Sequence, residues 1–257
     1  MPITETPAVA PLLPLDRRAL LKGGMLGAGL AAAPVAAQLG ERGFSSGVAS
    51  GEPSATSVLL WTRHVAGTDT RLRWEVAELL DFGSVVAGGD VTASAERDFC
   101  VRPIATGLEP GRWYYFRFIA PDGTLSDIGR TRTLPQGRTD RFRMAVFSCS
   151  NIGFGWFNAY AHAAASGEFD CVLHLGDYIY EYAPGTYPSA KDVMAGRVVD
   201  PAREIVTLAD YRARYAQYHR DPDLRRLRQL YPMIAVADDH ESTNDSWRDG
   251  AENHQPA

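Results

Sequence analysis

Short apolar or β-branched runs alternate with turn residues from residue 44 to about residue 134. Three runs stand out: Ser-Val-Leu-Leu-Trp-Thr at 57–62, Arg-Leu-Arg-Trp-Glu-Val at 71–76 and Trp-Tyr-Tyr-Phe-Arg-Phe at 113–118. Strand-length runs at this spacing predict an all-β sandwich. Leu108-Glu109-Pro110-Gly111, followed by Tyr114 at a strand start, has the form of a tyrosine corner, in which the phenol hydrogen-bonds to backbone a few residues upstream. A plain turn before an aromatic strand gives the same local pattern. Thr133-Leu134-Pro135-Gln136-Gly137 then breaks both strand and helix periodicity and reads as a linker.

Beyond the linker the period changes. Residues 142–147 and 169–175 are compact apolar strands, with an Ala-rich helix predicted at 157–165 between them. Residues 182–207 are punctuated by Pro and Gly and read as loop. Residues 208–230 carry helical apolar spacing that Asp221-Pro222 interrupts, and 233–237 form a third apolar strand. Apolar strands separated by helices predict parallel β/α units, with the sheet buried on both faces by its crossovers.

Near the start, Arg17-Arg18-Ala19-Leu20-Leu21-Lys22 precedes an uncharged Ala-, Gly- and Leu-rich run at 23–37 with small residues at Val35 and Ala37. The run falls short of the ~20 strongly apolar residues of a membrane span, so residues 1–37 read as an export signal cleaved before Gln38. The paired arginines resemble a twin-arginine signal, whose machinery exports folded proteins. The expected location is periplasmic or secreted, with no stable membrane span. The 257 residues, 45% hydrophobic and 22% charged, carry a formal charge of −5, which suits a packed protein and gives no general attraction for nucleic acid or anionic lipid. No specific nucleic-acid binding is expected.

In open parallel sheets ligands bind beyond the carboxyl ends of the strands. Here the three strands run into Ser148-Cys149-Ser150-Asn151, into Gly176-Asp177-Tyr178-Ile179-Tyr180-Glu181 and into Asp238-Asp239-His240-Glu241. Carboxylates gathered on one rim repel, and bound cations are the simplest relief. Carboxylate and phenol oxygens favour hard ions, while a lone thiolate favours a transition metal, so the mixture points to iron with a second, harder ion and away from a magnesium-only site. Two ions sharing Asp177 suit phosphoryl chemistry, with His240 as proton donor to a leaving oxygen.

These segments, with Phe44-Ser45-Ser46-Gly47-Val48-Ala49-Ser50-Gly51-Glu52-Pro53, Val58-Leu59-Leu60-Trp61-Thr62-Arg63 and His174-Leu175-Gly176-Asp177, together resemble the PhoD-type alkaline phosphatases/phosphodiesterases. The resemblance extends to Asn253-His254 and covers nearly the whole chain after the export signal. It implies an α/β protein with an N-terminal all-β domain: a fibronectin/immunoglobulin-like β-sandwich over 43–136, then a partial metallophosphoesterase α/β sandwich over 140–257. It implies a phosphoester substrate, Fe(III) held by Cys149, Asp177 and Tyr180, and Ca2+ alongside, with Asp177 bridging. Asp239-His240 stands where the wider superfamily has Asn-His, so Asp239 is assigned to the second ion and His240 to catalysis. Family members continue past 252–254 to supply further ligands, so an incomplete site is expected. The alternative is a non-catalytic exported module retaining the sandwich.

Other residues have plainer readings. Cys149 is either an inert buried thiol or a ligand, and its place at a strand end favours the ligand. A Cys149–Cys171 disulfide is not expected, because in parallel neighbours the two would lie at opposite strand ends, ~20 Å apart at ~3.3 Å per residue. Cys100 is structural. His174, between two leucines, reads as a hydrogen-bonded core histidine. Asp210, Arg212 and Arg214, like Arg225, Arg226 and Arg228, read as solvated helix faces. Asn151 and Asn244 are weak candidates for phosphate contact against the ordinary loop role of Asn.

Overall fold

The computed structural model describes residues 42–252; the export segment at 1–37 and the Asn253-His254 pair lie outside the described residues. Alternating burial builds the sandwich. In β2 (Ser57–Arg63) Val58, Leu60 and Thr62 point inward, and in β7 (Trp113–Ile119) Tyr114, Phe116 and Phe118 do so. One antiparallel sheet runs β4 (Val85–Ala93), β3 (Thr70–Ala77), β7, β8 (Gly129–Arg132). Its inner face shares a core with β1 (Val48–Gly51), β2, β5 (Cys100–Val101) and β6 (Ile104–Thr106), centred on Leu60, Leu72, Trp74, Val76, Phe116 and Phe118. Each such side chain contributes about 1.5–3 kcal/mol by leaving water. The tyrosine corner is present: Tyr114 Oη accepts the Glu109 N–H at 2.8 Å.

The second region has three parallel strands, β9 (Met144–Phe147), β10 (Cys171–His174) and β11 (Pro232–Ala235). Helix α1 (Asn158–Ser166) joins β9 to β10; α2 (Leu208–Arg220) and α3 (Pro222–Leu230) lie between β10 and β11. The α2–α3 break falls where Pro222 predicts it. Pro222 starts α3, where its missing N–H costs nothing, and the Asp221 carboxylate accepts the N–H groups of Asp223 and Leu224. At the start of α2, Thr207 and Asp210 form a capping box.

The strands are added in one direction, and right-handed crossovers then put all three helices on one side of the sheet. Ala145 and Val172 face that side, packed against Tyr160, Tyr218, Leu224 and Leu227. On the other side Met144 (51% exposed), Val146 (53%), Leu175 and Val236 face outward. The expected burial of both faces is therefore met on one face only among the described residues.

The sandwich and the parallel strands share a sheet. β1 pairs antiparallel with β2 and parallel with β11, matching Ser50 to Pro232 and Gly51 to Met233. A seven-stranded sheet results, ordered β5-β2-β1-β11-β10-β9, with β6 on β2. Gly51 permits the approach, since a Cβ there would lie 2.7 Å from the Met233 carbonyl oxygen.

The charged residues of α2 and α3 depart most from expectation. Arg214 is fully buried and donates to the carbonyls of Tyr180, Tyr182, Asp200, Pro201 and Arg203, so one guanidinium gathers the 182–207 loop. Asp210 is buried in its capping box and pairs with Arg203; Arg212 donates to the Glu96 carbonyl; Arg225 pairs with Asp127 at 2.5 Å; Arg228 is buried. Only Arg226 is an exposed member of that set. A loop without strand or helix leaves backbone carbonyls to satisfy, and arginine has the donors to do it. No helix of the described residues is long and apolar enough to cross a membrane.

Candidate metal centre

The loops after β9 and β10 are stitched backbone to backbone. The Cys149 N–H donates to the Gly176 carbonyl at 3.2 Å and the Ser150 N–H to the Asp177 carbonyl at 2.8 Å. Cys149 and Asp177 both adopt left-handed backbone, φ 58° and 54°. That conformation costs a non-glycine residue ~1–2 kcal/mol and recurs at functional sites. Gly176, at φ 106°, lets the third loop join, because a Cβ there would sit 2.5 Å from that of Asp238.

His174 supports the two loops from behind. Its Nε2 lies 3.0 Å from both Ser150 Oγ and Tyr160 Oη, and its Nδ1 faces the Gly176 N–H at 3.4 Å. Burial lowers its pKa to about 4, so it is neutral, as a core histidine should be. The cysteines are free: Cys171 opens β10 opposite Met144, whereas Cys149 lies past the end of β9.

All five predicted site residues converge. Asp177 is buried, and its Oδ2 accepts the Tyr180 hydroxyl at 3.1 Å and the Cys149 thiol at 3.4 Å. Its Oδ1 is buried without a hydrogen-bond partner. Burial pushes the Asp177 carboxyl pKa up, against hydrogen bonding by Cys149 and the charge of His240. Burial likewise raises the Tyr180 phenol, and the neighbouring Asp177 adds to it. From the third loop, ligand atoms of Asp239 and His240 lie with one of Asp177 within 4.8 Å of one another. Asp239 is oriented by N–H donors, His240 on Oδ1 at 3.0 Å and Asp245 on Oδ2 at 2.6 Å.

Sequence reasoning missed Glu181 as a site residue. Its Oε2 holds His240 Nδ1 at 2.8 Å and its Oε1 accepts the Asn244 N–H at 2.7 Å. This bond puts a proton on Nδ1 and turns Nε2 away from Glu181. Its signal was position alone: a carboxylate next to Tyr180, ending the same strand-end segment. Glu241 clamps the turn instead, accepting the N–H groups of Tyr178 and Asp238. Asn151 is spent locally, its Oδ1 on the Gly153 N–H and its amide nitrogen on the Tyr187 carbonyl. Beyond Tyr180 lies an apolar cavity of about 310 Å3 lined by Tyr182, Tyr187, Pro188 and Met194.

The donor set fits metal ions. A buried carboxylate oxygen lacks a partner, a second carboxylate lies beside it, and a thiol and a phenol point at the same residue. Hard oxygens with one sulfur are donors for a transition ion paired with a harder one.

The family model described as PhoD-like phosphatase matches residues 144–257, and that of the PhoD-like phosphatase N-terminal domain matches residues 29–135. Alkaline phosphatase D of Bacillus subtilis (strain 168) is 38% identical over 213 residues, covering 78% of this chain and 36% of the relative. A solved structure of PhoD superposes with a TM-score of 0.73 at 37% identity, over 79% of this chain and 40% of that one. The chain thus spans well under half the length of either relative. Two matched models in chain order, 38% identity to a relative and a shared fold agree: the chain belongs to the PhoD-like phosphatase family.

Proposed function

We propose that this chain carries part of the active centre of an exported, metal-dependent phosphoric ester hydrolase, with residues 43–136 as its β-sandwich and 140–257 bearing the site. The observation that carries this reading is the buried, unpartnered Oδ1 of Asp177, with Cys149 and Tyr180 on its other oxygen and Asp239-His240 beside it. Cys149, Asp177 and Tyr180 would hold Fe(III); Asp239, with Asp177 shared, would hold Ca2+. Bound ions supply polarisation of the phosphoryl oxygen and an activated water. The protein's own contribution is orientation and proton transfer. Glu181 accepts the Nδ1–H of His240 and would stabilise its imidazolium form, in which Nε2 also carries a proton and is the atom that donates to the leaving oxygen. The stitched 148–151 and 176–178 backbones hold the ligands at fixed spacing. The phosphoester is the substrate.

The test is metal content and turnover together. Protein of the relatives' full length that contains this chain, loaded with iron and calcium, should hydrolyse p-nitrophenyl phosphate or its bis ester, whereas this chain alone should show little turnover. In the longer protein His240→Ala should lower the rate by about 10²–10⁴, the usual worth of a positioned acid. Cys149→Ser should lose iron, since a hydroxyl is a poorer ligand than thiolate. Iron stoichiometry indifferent to both Cys149→Ser and Asp177→Asn would sink the assignment. Tyr180→Phe should remove a visible ferric-phenolate band. For export, the reading is a twin-arginine signal over 1–37 and a periplasmic or secreted product. Replacing Arg17 and Arg18 with lysine should abolish export, and undiminished export would refute it.

A further inference from the structure

A second cavity, of about 420 Å3, lies where β1 and β2 meet β11, and Ser50, Trp61, Tyr178, Tyr215, His219 and Arg228 line it. Its polar lining is unsatisfied. Arg228 Nη1, Ser50 Oγ and Tyr178 Oη are buried without hydrogen-bond partners, and their residues are 7%, 2% and 7% exposed. The other buried arginines have an ion partner or carbonyl acceptors: Arg197, although its Nη2 too is buried without a partner, pairs with Asp221 at 2.8 Å, and Arg214 serves backbone carbonyls. Arg228 makes no salt bridge among the described residues, and its Cζ lies 4.4 Å above the Trp61 ring. Of the acidic residues around the cavity, Glu241 has both oxygens occupied by backbone N–H groups, and Glu52 is exposed.

A buried guanidinium without a counter-charge is costly to keep, and guanidinium beside hydroxyl donors matches oxyanions. The walls are flat. His219 contacts Trp61 at 5.1 Å and Tyr178 at 5.9 Å between ring centroids, and Tyr178 stacks on Tyr215 at 6.2 Å. Burial holds His219 neutral, so the cationic group of the lining is Arg228.

We propose that this cavity is a binding site, separate from the metal centre, for a small organic oxyanion, a phosphate or carboxylate on a flat apolar body. Arg228, Tyr178 and Ser50 donate to the oxyanion, and Trp61 and Tyr215 flank the body. The proposal stands independently of the hydrolase reading, since none of the three donors is a metal ligand there.

The experiment titrates metal-stripped protein with phenylphosphonate, benzoate and inorganic phosphate by calorimetry and tryptophan fluorescence. One saturable site is expected, with phenylphosphonate or benzoate tighter than inorganic phosphate; whichever of the two binds tighter identifies the phosphate or carboxylate source. Arg228→Gln should weaken binding roughly tenfold or more, and Tyr178→Phe and Ser50→Ala a few-fold each. Trp61→Phe should remove the fluorescence change. Asp177→Asn should leave affinity unchanged. If Arg228→Gln does not fold, loss of affinity in folded Tyr178→Phe and Ser50→Ala decides the matter. Absence of saturable binding by all three probes, or binding abolished by Asp177→Asn and untouched by the cavity variants, overturns the proposal.

Discussion

In the sandwich two sheets turn their apolar faces to each other, and Leu60, Leu72, Val76, Phe116 and Phe118 have no exposed surface. In the β9–β10–β11 layer one face packs on three helices, while Met144, Val146, Leu175 and Val236 face outward. The two regions are held differently. The sandwich depends on apolar burial; around the site, order comes from buried polar groups acting on loops: Arg214 on 182–207, His174 behind 148–150, Glu181 on His240. Stability is therefore expected to reside in the sandwich and the geometry of the site in a few hydrogen-bonded side chains.

The largest effect should come from the sandwich core. Phe116→Ala should cost about 3–5 kcal/mol in denaturant unfolding. Because β1 and β2 share a sheet with β11, amide protection in β11 should fall with it; intact protection there would show that the two regions unfold apart. Arg214→Met comes next, on the order of 3 kcal/mol, since it strips charge-assisted hydrogen bonds from several buried carbonyls. Its signature is faster hydrogen exchange over 180–205 with the sandwich unchanged.

Smaller effects sharpen the contrast. Thr207→Ala removes one side of the capping box and should cost about 1 kcal/mol. Asp210 belongs to the same box, and hydrogen bonding from Thr207 backbone lowers its pKa to about 2. A carboxyl depressed in the folded state stabilises above its unfolded pKa near 4, so stability should fall as pH drops from about 4 to 2, and by less in Asp210→Asn. Smallest of all, Val146→Thr on the open face should stay within about 0.5 kcal/mol, while Leu227→Ala on the packed face should cost about 2–5. Equal costs would mean that the open face is covered.

What the sequence disclosed follows the same division. Period-two burial, the Tyr114 corner and the Pro222 break are local signals, and all appear in the structure. The rim residues were legible because a parallel sheet puts the ends of its strands on one edge, so Cys149, Asp177, Tyr180, Asp239 and His240 needed only strand order to meet. Arg214 and Arg228 were not legible, because helical charge spacing looks alike whether the face meets water or loop carbonyls. Glu181 was hidden because its place on the rim does not tell a carboxylate that orients His240 from one that faces an ion. The β1–β11 pairing was hidden because nothing in Val48–Gly51 distinguishes one neighbour from another.

That last pairing also bears on how the chain is made. Ser50 meets Pro232, so the strand that opens the sandwich finds its second neighbour only after some 180 further residues have been synthesised. At roughly 5–20 residues per second, one edge of β1 stays without its partner for on the order of ten seconds or more on the ribosome. An open strand edge is a template for wrong pairing, and so distant a contact is slow to close. The nascent sandwich is thus exposed to mispairing, and to chaperones that mask strand edges, until β11 emerges.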